Sequence, residues 1–192
     1  MKMKKVYSQM VKSPYITLLN NAHLNEYGEL ITGEQWISNG KAAYILEGLP
    51  QFGADNVLNL LAVPEKNRGK YSVCEESVRL ENGDIELIYR DSDDADIIVT
   101  PMCELFSDTV MVSDDKQTVV FVSDNFVDVF ADDDTTYILR TSGETRYVAA
   151  RCGLITKGVV IADDFRSAET AQKAIDRLRI IIKEIDREKA LT

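Results

Sequence analysis

The run Asp91-Ser92-Asp93-Asp94-Ala95-Asp96 packs four carboxylates into six residues, the kind of oxygen cluster that hard cations such as calcium favour. It departs from the calcium-loop template. With Asp91 as position 1, position 6 is Asp96 where the loop's sharp turn needs glycine, and position 12 is Met102 where a bidentate Glu would close the site. The run therefore reads as a solvated turn, and neither a metal nor a cofactor is expected. Asp163 and Asp164 could chelate with Glu169, but acids placed just before a helix also complement its dipole, and that reading suffices.

His23 is the sole histidine, and its near-neutral titration would suit a general base. Its neighbours, from Asn20 and Asn21 to Asn25 and Glu26, set no nucleophile in a recognisable pattern, so it reads as structural. Cys103 is followed by Glu104, whose charge disfavours a thiolate. Cys74, Cys103 and Cys152 are an odd set without a Cys-x-x-Cys pair, which predicts buried thiols in a reducing compartment, the cytoplasm. The phosphate-binding patterns G-x-x-x-x-G-K-S/T and G-x-G-x-x-G are absent, as is the nucleophile elbow G-x-S-x-G. Trp36, Tyr44, Phe52 and Tyr71 could line a cleft, but scattered aromatics of this kind read first as core.

Charge is the least ordinary feature. The net charge is −10, yet residues 91–134 alone hold thirteen acids against one base, Lys116, a net of −12. The rest of the chain is close to neutral at +2. Such a segment repels phosphate backbones, so direct nucleic-acid binding is not expected through it. The stretch 135–192 carries eleven bases and eight acids, too interleaved to argue for nucleic acid.

The elements that must position these groups follow from hydrophobic periodicity. A chain of 192 residues, 45% hydrophobic and 28% charged, can bury about 70% of its unfolded surface, so it predicts a packed core. No run of about 18 apolar residues exists to span a membrane, and the polar residues Ser8, Gln9, Lys12 and Ser13 interrupt any leader behind the lysines at 2, 4 and 5. Asn39-Gly40 and Asn82-Gly83 each separate plausible strands, 36–38 from 41–46 and 78–81 from 84–90, and predict type I′ hairpins. Residues 54–62 predict a short helix after Asp55, ending before Pro64.

From 97 to 161, β-branched and aromatic runs predict strands at 97–100, 109–112, 118–122, 126–130, 136–139, 147–150 and 159–161. The run 118–122 is apolar on both faces and reads as a central, doubly covered strand. Many acids fall between strands, where hairpin tips would gather them on one rim. Ser167 as N-cap, followed by Ala168, Ala171, Ile175, Leu178, Ile182 and Ile185 at spacings of 3, 4, 3, 4 and 3, predicts a long amphipathic helix over 167–189, with Ile180 off the stripe.

The expectation is an α+β fold: a mainly antiparallel β-sheet with hairpins, one short helix near 54–62 and a long C-terminal helix near 167–189. Residues 1–192 form a single domain, with the polar loop 64–70 as the place where sub-lobes 1–63 and 71–192 would join. The expected function is a non-catalytic binding or accessory protein, whose acidic surface (Asp91, Asp93, Asp94, Asp96, Asp114, Asp115, Asp132, Asp133 and Asp134) contacts a protein partner with a basic surface. The alternatives are a divalent-cation-dependent enzyme with a carboxylate site, or a structural subunit that assembles into a homo-oligomer through the C-terminal helix.

Overall fold

A computed structural model describes residues 1–24, 27–78, 80–81, 84–85, 95–105, 108–113, 119–131, 134–142, 145–153, 155–162, 176 and 180. The chain opens with helix α1 (Met3–Met10), then strands β1 (Tyr15–Leu24), β2 (Leu30–Ser38) and β3 (Ala42–Ile45), and helices α2 (Ala54–Leu60) and α3 (Glu65–Arg68). Strands β4 (Ser72–Val78), β5 (Leu80–Glu81), β6 (Asp84–Ile85), β7 (Ala95–Leu105), β8 (Asp108–Ser113) and β9 (Val119–Ser123) follow. Helix α4 (Asp124–Val129) leads to β10 (Thr135–Ser142), β11 (Thr145–Cys152) and β12 (Ile155–Ala162).

Ten strands form one sheet in the order β4-β1-β2-β3-β12-β11-β10-β7-β8-β9, and β5 and β6 pair separately. The sheet is mixed, because β4 runs parallel to β1, Tyr15 opposite Ser72, while the other pairs are antiparallel. It also rolls over. In a flat sheet the five strand spacings between β12 and β9 would separate them by about 24 Å, yet their Cα atoms approach within 8 Å.

Helices α1 and α4 fill the space under the roll. Val6 and Met10 of α1, four apart on one face, pack with Phe126, Val129 and Phe130 of α4 against Tyr44, Val148 and Val160 on the strands. Three contacts hold the helices antiparallel: Lys2 N–H donates to the Val129 carbonyl at 2.8 Å, Lys5 Nζ reaches Asp128 Oδ2 at 2.7 Å, and Gln9 Nε2 donates to the Asn125 carbonyl. Alternation along the middle strands supplies a second apolar layer on the opposite face, where Trp36, Ile45 and Ala149 are buried.

The observed class differs from the expected α+β fold. The chain is mixed α/β, mostly strand, with four short helices, and no long C-terminal helix is seen among the described residues. The span expected for that helix, 167–189, lies outside them apart from Asp176 and the exposed Ile180. Helix α1 went unread because lysines 2, 4 and 5 crowd its apolar positions, and α3 forms within the expected polar loop. Helix α2 stops two residues short of the expected span. Residues 126–130, expected as a strand, lie largely in α4: Phe126, Val129 and Phe130 sit at i, i+3 and i+4, so one helical face buries all three.

Two further expectations change. Strand β9 is covered on both faces, with Val120, Phe121 and Val122 buried, but it ends the strand order instead of lying at its centre; the roll supplies its cover. At Asn39-Gly40 the hairpin forms, with Ser38 opposite Ala43, but only Gly40 has positive φ, at 81°. Asn39 closes the strand and caps the turn, its Oδ1 accepting the N–H groups of Lys41 at 3.0 Å and Ala42 at 2.9 Å. The residues Asn82-Gly83 lie outside the described ones, although Leu80 pairs with Ile85 across them.

Candidate functional site

Of the acids expected to form a contact surface, Asp91, Asp93, Asp94, Asp114, Asp115, Asp132 and Asp133 lie outside the described residues. Asp96 sits in β7 opposite Ile138, and Asp134 is exposed just before β10. Ala95, Ser113 and Val119 mark one end of the β7-β8-β9 ribbon, while Leu105, Asp108 and Ser123 mark the other.

The other described acids of the segment have identifiable surroundings. Asp124 Oδ1 accepts a hydrogen bond from Thr109 Oγ1 at 2.6 Å, a neutral partner that leaves its charge in place. Asp128 is offset by Lys5, 123 positions away in sequence. Asp108 is half-buried at the start of β8 and faces a cleft.

That cleft, about 420 Å³, is a feature the sequence did not disclose. It lies where the C-terminal end of α1, the β2-β3 turn, the β8 start, the β9-α4 junction and β12 meet. Lys12, Asn39, Lys41, Asp108, Ser123 and Asn125 supply its polar wall, and Ala42, Phe126 and Val160 its apolar one. At its base the buried Gln9 joins three elements: Oε1 accepts the Tyr44 hydroxyl at 2.5 Å, and Nε2 donates to the Asn125 carbonyl. Burial pushes the Tyr44 phenol well above its ordinary value, against the opposing effect of the Gln9 hydrogen bond. A phenol so held is a neutral structural donor across the accessible pH range.

The remaining candidates separate from this cleft. His23 lies in β1 opposite Ile31. Cys74 is exposed on β4, its Sγ 3.2 Å from Thr17 Oγ1, and Cys152 is half-buried, which corrects the expectation of buried thiols at both positions. Trp36 and Tyr44 are fully buried, and Phe52 and Tyr71 pack partly buried against the core. Among the described residues no group of three or more His, Cys, Asp and Glu side chains gathers to hold a metal ion, and no helix is long and apolar enough to cross a membrane. The chain matches no family model, no curated protein and no solved structure.

Proposed function

We propose that this protein is a non-catalytic binding protein that contacts a basic surface of a protein partner through the acidic middle of its chain. The observation that carries this reading is the segregation of charge, thirteen acids against one base within 91–134 in a chain otherwise near neutral. Asp134, exposed and without a hydrogen-bond or ion-pair partner among the described residues, and Asp124, bonded among them only to a neutral hydroxyl, support it. The ion pair of Asp128 with Lys5 removes one unit from the field. Attraction of this kind decays over about 8 Å at physiological salt, so the contact is salt-sensitive.

The test is affinity capture from the native host with three forms of the chain. One carries Asp93, Asp94 and Asp96 changed to Asn, one carries Asp132, Asp133 and Asp134 changed to Asn, and a control of equal net charge carries Glu29, Glu34 and Glu65 changed to Gln. A basic protein recovered by the wild type and the control, and lost with either Asn variant and at high salt, is the expected result. Equal recovery by all forms, or equal loss in the control, refutes the reading.

A further inference from the structure

The cleft beneath the β2-β3 turn has a surplus of hydrogen-bond donors over acceptors. Asn39 fixes its own orientation, because Oδ1 accepts the backbone N–H groups of Lys41 and Ala42, and its Nδ2 is left as a donor without a partner among the described residues. Ser123 Oγ accepts from Asn125 Nδ2 at 3.3 Å, which leaves the hydroxyl hydrogen to donate elsewhere. Among the described residues the ammonium groups of Lys12 and Lys41 have neither an ion-pair nor a hydrogen-bond partner. Against these four donors stand two side-chain acceptors, the Asp108 carboxylate, already engaged within the protein, and Asn125 Oδ1. The nearest buried amide, Gln9, cannot compensate, since its oxygen serves Tyr44 and its nitrogen serves Asn125.

A concave site with unpartnered cationic and neutral donors is matched by an acceptor-rich anion, because charge-assisted hydrogen bonds are the strong ones and a cleft focuses the field of its charges. The opposite wall, Ala42, Phe126 and Val160, is apolar and suits the body of a small molecule. The geometry points to this cleft as a binding site for a small organic anion, a carboxylate or phosphate monoester on an apolar body. Its head lies between Lys12, Lys41 and Asn39 and its body against Phe126. This site is distinct from the acidic contact of the proposed function, and either can fail without the other.

The experiment is titration of the isotope-labelled full chain, followed by amide chemical shifts, with four probes: benzoate, phenyl phosphate, inorganic phosphate and benzylamine. Saturable shifts confined to the amides of Asn39, Gly40, Ser123 and Asn125 with benzoate or phenyl phosphate, and none with benzylamine, are expected. The stronger of the two names the head group. Lys41→Gln should weaken that probe about tenfold, Asp108→Asn should strengthen it, and Lys66→Gln, on α3 away from the cleft, should leave it unchanged. Inorganic phosphate binding as tightly as phenyl phosphate overturns the apolar-body part of the assignment. Binding of benzylamine at the same amides, no saturable shift with either organic anion, or equal weakening by Lys66→Gln overturns the site itself.

Discussion

Gly158 on β12 lies opposite Tyr44 of β3 and Ala150 of β11, under the rings that fill the roll. A methyl group at this position would sit 2.7 Å from Phe130 Cζ, 3.0 Å from Tyr44 Cδ1 and 3.3 Å from Phe130 Cε2. Ordinary carbon contacts are about 3.5–4.0 Å, so a ring must move by up to about 1 Å. The rings are not free to do so: Phe130 stands edge-on to Phe126 at 5.3 Å between centroids and stacks on Tyr44 at 6.2 Å. Overpacking of this kind costs about 1–3 kcal/mol. Alanine recovers about 0.4–1 kcal/mol by restricting the unfolded chain. Gly158→Ala is therefore expected to destabilise by about 1–2 kcal/mol, which lowers Tm by roughly 2–8 °C for a domain of this size. Thermal and denaturant unfolding read by circular dichroism, with Trp36 fluorescence as the second probe, measure it. Adding Phe130→Leu should give a cost smaller than the sum of the two single changes, since the shortened side chain leaves room for the methyl. A Gly158→Ala protein as stable as the wild type, or strict additivity with Phe130→Leu, would refute the aromatic roof over β12.

Other outcomes follow from the same geometry. The Tyr44 phenol is raised from its ordinary value of 10.0 by burial, so above about pH 10 the unfolded chain loses a proton that the folded chain keeps. Stability then falls with rising pH, by at most about 1.4 kcal/mol per unit from this group. Tyr44→Phe should cost about 1–3 kcal/mol near neutrality by stranding Gln9 Oε1, and the gap to wild type should stay constant up to about pH 9 and narrow above about pH 10 in denaturation curves. The Lys5–Asp128 pair, with side chains 42% and 57% exposed, should show a coupling of only about 0.2–1 kcal/mol in a double-mutant cycle, and less in high salt. Gly40→Ala forces an L side chain to φ 81° and should destabilise by about 1 kcal/mol, whereas Gly69→Ala at φ −62° should be neutral or slightly stabilising.

What was legible in the chain was local. Runs of valine, isoleucine and threonine placed β7 to β12, because β-branched residues on a pleated surface leave a period-two signature. The same composition hid α4: six residues rich in valine and phenylalanine look like a strand until the burial of Phe126, Val129 and Phe130 on one face is seen. The parallel pairing of β4 with β1 joins segments separated by two strands and two helices, and no local pattern encodes it. The Asn39-Gly40 turn was visible, but not its type: the Asn39 side chain caps the backbone N–H groups two and three residues on, a local alternative to the type I′ turn that the dipeptide favours.

The cleft was not legible for a related reason. Its polar wall comes from positions 12, 39, 41, 108, 123 and 125 on separate elements, which only the roll of the sheet and the docking of α1 on α4 bring together. A clue lay in Lys12 and Lys41, lysines with no acid beside them in the sequence. The acidic segment, by contrast, was evident as charge in the sequence itself.

The contact surface itself is read most directly by zero-length carbodiimide cross-linking of the captured complex, which joins carboxylates to amines only where they touch. Cross-links running from carboxylates in 91–134 to lysines of the partner are the expected result. Cross-links confined to carboxylates elsewhere in the chain, with the complex intact, would contradict the assignment of that segment as the docking surface.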